Sequence, residues 1–191
     1  MLADEGANPY FAAMDMLTQA EHDVEAAAFL ITPSTAFATA TVQEIDRQLK
    51  LQHRAEILRQ SLENNSAIIV TESLDQAFDI ANHCAPEHLA LMVRDPFASL
   101  GRIKNAGAVL MGDFAPQTLG DYLAGPSHTL PTSGTARFSS PLNVDSFLKK
   151  TSFLYYSKEA LAGVGEPLVE FAKAEGFMAH ANAVEARFEK G

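Results

Sequence analysis

The chain is poor in cysteine, poor in basic residues and free of long apolar runs, and each shortage excludes something. One cysteine, Cys84, among 191 residues leaves no internal disulfide. That fits a reducing compartment, the cytoplasm. Lysine and arginine total 14 against 24 aspartates and glutamates, for a formal net charge of −10. Nucleic-acid binding needs a basic footprint, so such partners are not expected, and neither is an anionic membrane surface. The acidity reads as a solubility device. No apolar stretch nears the roughly 18–20 residues of a membrane-crossing helix. The opening "MLADEGANPY" lacks the basic and apolar regions of a signal peptide. No G-x-G-x-x-G follows a predicted strand, so there is no dinucleotide fingerprint. Repeats and low-complexity tracts are missing as well.

What is present is a chain that is 47% hydrophobic and 20% charged, enough for a substantial core. "MLAD" reads as the end of a strand. Asn8 and Pro9 then predict a helix start, with Phe11, Met14 and Leu17 as an apolar stripe towards His22. "AAAFLIT" (26–32) reads as a strand, and Ser34 caps a helix with Ala38, Val42, Ile45 and Leu49 at helical spacing. A helix through Ile57, Leu58 and Leu62 ends at Asn64–Asn65. Strand, helix, strand, helix, strand follow as "AIIVT", "SLDQAFDIANHC", "LALMV", "DPFASLGRIKNAG" and "AVLMG". In the fourth, Pro96 marks the start and Gly107 the residue past the end. Short apolar strands alternating with helices predict an α/β fold. It is an incomplete doubly wound, Rossmann-like, mostly parallel sheet with helices on both faces.

The texture changes after about residue 113. Segment 114–143 reads as a long loop without secondary structure of its own, rich in Pro, Gly, Ser and Thr, and such loops are usually functional. "TSFLYYS" (151–157) reads as a strand. Two helices close the chain as a small helical appendage, with Pro167 near the start of the first and Gly176 as its C-cap. The expected organisation is a main domain over 1–142, a linker over 143–150 and a small helical dimerisation domain over 151–191.

Four constellations could carry chemistry. Gln19 and His22 are three apart, a spacing that shares a helix face, and an amide oxygen and an imidazole can converge on one metal ion. The alternative is two surface residues near a helix end. Asp121 and His128 flank a Gly-Pro turn, as a metal ligand and a ligand-binding imidazole; the alternative is that Asp121 only caps the Tyr122 turn. Glu175 and His180 border an apolar stripe of Phe177, Ala181 and Val184, which is also how a packed interface histidine looks. Glu87 and His88, in "CAPEHLAL", stand side by side after Pro86. A carboxylate beside an imidazole suits water activation and proton transfer near neutral pH, but equally a solvated turn before a strand. Together Gln19, His22, Asp121 and His180 form a nitrogen and oxygen donor set without sulfur. It suits zinc in an open, catalytic-type site, and manganese or cobalt would also be accepted.

The stretches "ADEGANP", "DMLTQAEHD", "CAPEHLAL", "NAGAVLMGDFAPQTLGDYLAGPSHTLPTSGTARFSSPL" and "AEGFMAHANAVEAR" resemble, in that order, the C-terminal half of histidinol dehydrogenase. The resemblance implies oxidation of L-histidinol to L-histidine through the aldehyde, with two NAD⁺, as the last step of histidine biosynthesis. It implies Gln19, His22, Asp121 and His180 as zinc ligands and Glu87 and His88 as the catalytic pair. It also implies substrate contacts from Gln19, His22, His88, Asp121, His128, Glu175 and His180. Cofactor-binding residues in this chain are not assigned. A homodimer is implied, with Glu175 and His180 completing the partner's site. The family's chains extend upstream, so the NAD-binding domain is expected to be missing here, and the chain alone to bind NAD poorly and turn over slowly. A non-catalytic dimerising or metal-binding module is the alternative from another class. A zinc hydrolase, with Glu87 activating a metal-bound water, is the third.

Overall fold

Polar caps start several of the helices. The structure, a computed structural model, describes residues 1–189. Asn8 caps α1 (Pro9–Ala20), its side chain accepting from the Tyr10 amide at 3.0 Å. Ser34 caps α2 (Thr35–Leu49) and Ser73 caps α4 (Leu74–Cys84), each hydroxyl accepting from an amide three residues on. Each such cap is worth about 1 kcal/mol. The strand β1 (Leu2–Ala3) precedes α1, and between these helices lie α3 (Ala55–Asn65) and the strands β2 (Phe29–Thr32) and β3 (Ala67–Val70). Then come β4 (His88–Met92), α5 (Pro96–Leu100), β5 (Ala108–Met111) and α6 (Gln117–Tyr122).

The strands form one sheet in the order β3-β2-β1-β4-β5, and every pairing is parallel. Strand periodicity sends neighbouring residues to opposite faces. Leu2, Ile31 and Leu91 pack with Ala77 and Phe78 of α4. Ala3, Leu30 and Met92 pack with Met16 of α1 and Phe37 of α2. The sheet is therefore covered by helices on both faces, as the α/β reading expects. Leu17, Ala20 and Leu58 join α1 to α3 in an outer layer.

Strand order reverses between β1 and β4, where Asp4 binds the two together. Its amide donates to the Met92 carbonyl at 3.1 Å, and its carboxylate accepts from the amides of Gly6 (2.9 Å) and Arg94 (2.7 Å).

The chain forms two compact units, Met1–Phe147 and Leu148–Gly191. The second holds α7 (Lys158–Ala162), α8 (Gly165–Ala174) and α9 (Met178–Glu185). Gly176, at φ +80°, ends α8 as expected; the Phe177 amide returns to the Ala172 carbonyl at 2.8 Å. Lys173 Nζ pairs with Glu185 Oε1 at 2.9 Å across the hairpin.

Several expectations are corrected. The helix beginning at Pro96 stops at Leu100, because the Asn82 side chain takes the Lys104 and Asn105 amides (2.7 and 3.3 Å) and draws the chain away. Gly107 is thus no helix cap. Segment 114–143 is not wholly irregular: it contains α6 and a 3-10 turn at Thr135–Arg137. "TSFLYYS" forms no strand; it lies exposed and has no strand partner among the described residues. The strand at 26–32 is shorter, Phe29–Thr32.

Candidate active site

The Glu87–His88 pair is aimed by a strained turn. After α4, Ala85 takes a left-handed conformation (φ +47°) while fully buried. A non-glycine residue there costs roughly 1–3 kcal/mol and persists only where its surroundings enforce it. Pro86 and Glu87 follow, and their carbonyls accept from the Gly107 and Ala108 amides at 2.9 and 2.8 Å. His88 does not precede the strand; it is the first residue of β4, paired with Ala108. The pair thus stands at the amino edge of the sheet, opposite the carboxyl edge that such sheets usually use.

A cavity of about 420 Å³ opens there. Its lining includes Asp15 and Gln19 of α1, Glu87, His88, Gln117 of α6, and Gly134. His88 Nε2 lies 3.4 Å from Asp121 Oδ1. Its other nitrogen, Nδ1, is buried without a hydrogen-bond partner among the described residues. Such an orphan costs roughly 1–3 kcal/mol unless a ligand or water meets it. Gln117 Nε2 donates to Gln19 Oε1 at 3.1 Å, and Asp121 lies one helical turn beyond Gln117. Gln19, Gln117, Asp121 and His88 therefore form one chain of neighbours running from α1 through α6 to β4. On the far wall, Arg137 donates to the carbonyls of Gly134 and His83, fastening the 132–137 loop to the end of α4.

Two other predicted residues of the first unit, His22 and His128, do not line this cavity. His22 is not on the helix face with Gln19, because α1 ends at Ala20; it sits exposed on the following turn, its amide 3.4 Å from the Gln19 carbonyl. His128 is exposed in the loop after α6. Glu175, the C-cap of α8, and His180 of α9 are exposed in the second unit, where the His180 ring lies 5.2 Å from that of Phe177. Among the described residues no group of three or more His, Cys, Asp and Glu side chains is gathered to hold a metal. The amide of Gln19 and the carboxylate of Asp121 nevertheless suit a divalent cation in donor chemistry.

Asp15 and Gln117 are not singled out by sequence, and Gly107 only as a helix end. The first two have a weak signal: each lies four residues before a predicted ligand. Burial pushes the Asp15 carboxyl up from 3.8 to about 6. A raised carboxyl pKa favours the folded protein at acid pH, and that advantage is lost as pH rises from about 4 through about 6. Asp15→Asn is thus expected to leave stability unchanged near pH 4 and to raise it by about 1 kcal/mol at neutral pH, a value discounted for residual solvent. Urea denaturation at the two pH values measures this; equal gains at both would refute it.

Comparison with known proteins settles the lineage. Residues 1–188 match the histidinol dehydrogenase family model. The chain belongs to the histidinol dehydrogenase family. It is 54% identical over 187 residues to the histidinol dehydrogenase of Caldanaerobacter subterraneus subsp. tengcongensis, covering 98% of this chain and 44% of that protein. It is 52% identical over 190 residues to that of Heliobacterium mobile, covering 100% and 45%. The crystal structure of histidinol dehydrogenase from Elizabethkingia anophelis superimposes with a TM-score of 0.80 at 36% identity, covering 98% of this chain and 43% of that one. The chain therefore spans less than half the length of these relatives. The family is one of oxidoreductases, as the resemblance implied. No helix among the described residues is long and apolar enough to cross a membrane.

Proposed function

We propose that this chain is the substrate- and zinc-holding part of a cytoplasmic L-histidinol dehydrogenase, which oxidises L-histidinol to L-histidine with two NAD⁺. The observation that carries the reading is the cavity at the amino edge of the sheet, which Gln19, Glu87 and His88 line and Asp121 adjoins through its 3.4 Å approach to His88. Gln19, His22 and Asp121 would hold the zinc, with His180 from the second copy of a homodimer. When bound, the metal supplies a fixed anchor for the substrate's imidazole and amine, and NAD⁺ is the hydride acceptor.

The chain's own residues handle protons and water. His88 accepts the proton of the alcohol as the carbinol hydrogen leaves as hydride. Glu87 then draws a proton from the water that hydrates the aldehyde, and the hydrate is the substrate of the second oxidation. Asp121 faces the imidazole and orients it. His128 and Glu175 contact the substrate, Glu175 across the dimer. The dimer reading is supported by the second unit's exposed apolar side chains, among them Phe171 (67%) and Phe177 (53%), which a second copy would cover. NAD contacts are assigned to the part of the relatives that this chain does not span.

The test is NAD reduction driven by L-histidinol when the chain is mixed with the remaining segment of a full-length relative. Turnover with the mixture, and little with the chain alone, is expected. Metal-dependent hydrolysis without any nicotinamide would point to a zinc hydrolase. A reconstituted, zinc-loaded dimer that neither binds nor oxidises histidinol refutes the proposal.

A further inference from the structure

We propose that Gln117 is a positioning residue of this site, holding Gln19 in place and tying α1 to the helix that carries Asp121. The inference rests on the zinc reading above and goes beyond it, since Gln117 is itself none of the assigned ligands. Three observations converge on it. Gln117 is 6% exposed, one of few buried polar side chains. Its amide nitrogen donates to Gln19 Oε1 at 3.1 Å, a bond spanning 98 residues of sequence. It stands one turn before Asp121 on α6, so both residues face the same way.

The physical need is clear from the helix itself. At six residues, α6 is too short to persist on its own propensity, and its N-cap, Pro116, offers no side-chain bond. Its place is set by what it packs against. An apolar side chain at 117 would fill the same buried space. A paired amide does more, because it restricts the long Gln19 side chain to one rotamer and fixes the separation of Gln19 from Asp121. An amide oxygen has two lone pairs, so Gln19 Oε1 can accept from Gln117 and still face a cation. Groups that orient ligands in this way typically change metal affinity about 10- to 100-fold when removed.

The test compares Gln117→Leu, Gln117→Glu and Gln19→Ala in the full chain, by zinc competition titration with a chromophoric chelator and by thermal unfolding without metal. Gln117→Leu is expected to weaken zinc binding about 10- to 100-fold. Gln117→Glu should stay within about threefold of the parent, since a carboxylate of the same length accepts from Gln19 Nε2 and leaves Oε1 for the metal. Without metal, the Gln19 side-chain amide signals in an NMR spectrum should broaden or shift in the leucine variant and be retained in the glutamate variant. Unchanged zinc affinity in Gln117→Leu, with or without a lower thermal midpoint, overturns the inference. If Gln19→Ala loses affinity at the same time, the zinc reading survives alone. No zinc uptake by the parent chain, or none lost in Gln19→Ala, overturns both.

Discussion

Gly107→Ala is expected to unseat the Glu87–His88 pair and to lower stability by about 1–3 kcal/mol. A Cβ at Gly107 would stand 2.5 Å from the Glu87 carbonyl oxygen and 3.1 Å from Pro131 Cδ. Neither neighbour can step aside freely. The Glu87 oxygen is held by the Ala108 amide at 2.8 Å, and Gly107 itself donates to Pro86 at 2.9 Å. Pro131 is buried in the loop that forms the far wall of the cavity. The added methyl must therefore push apart the start of β4 and β5, where the proposed base stands. For a chain of this size each kcal/mol lowers the midpoint by about 2–4 °C, so a drop of several degrees should appear in calorimetry. Substrate turnover should fall further than stability alone explains. An alanine variant with the parent's midpoint and turnover would show that the close approach is not rigid.

In the reconstituted enzyme, His88→Asn is expected to reduce kcat by about 10²- to 10⁴-fold. Asparagine keeps a shorter polar group, at the level of Nδ1, at the first position of β4 but cannot take up a proton. In the proposed function His88 carries the chemistry, and its surroundings leave it little structural purpose. One ring nitrogen faces Asp121 at 3.4 Å and the other is buried without a partner among the described residues. A histidine kept for packing would have both nitrogens satisfied. The substitution keeps a polar atom at the position of Nδ1 and gives up only the 3.4 Å approach of Nε2 to Asp121, so the thermal midpoint should stay within a few degrees. Stopped-flow measurement of NADH formation separates the two oxidations. Both should slow in the histidine variant, while Glu87→Gln should slow mainly the second. Parent-like rates in His88→Asn would remove this residue from the mechanism.

The sequence revealed those parts of the architecture that local chemistry decides. Asn8–Pro9, Ser34 and Ser73 announce helices because a capping side chain acts within three residues of itself. Apolar runs such as "LALM" announce buried parallel strands because both faces are covered, and "AIIV" announces a strand although it lies at the sheet edge and is only part-buried. What stayed hidden was decided at long range. α6 has no cap box and contains Gly120, and it is fixed by Gln117 reaching 98 residues back to Gln19. The helix from Pro96 is cut short by Asn82, which reaches 22 and 23 residues along the sequence to the Lys104 and Asn105 amides. "TSFLYYS" has the composition of a strand but no strand to pair with among the described residues. At the site, Glu87 and His88 were legible because an adjacent carboxylate and imidazole are chemically conspicuous. Gln117 was not, since a glutamine announces nothing until its partner is known.

The carboxylate that clasps β1 to β4 also bears on how the cofactor is met. In sheets wound this way, the gap where strand order turns back is the customary seat of a nucleotide's phosphates. Here that seat is already taken by Asp4, whose negative charge uses the very backbone donors, those of Gly6 and Arg94, that an incoming diphosphate would need. The molecule thus furnishes its own anion where kindred folds borrow one from the dinucleotide. Under the proposed function, a nicotinamide cofactor would therefore reach the amino-edge cavity by another route, held by parts of the relatives that this chain does not span.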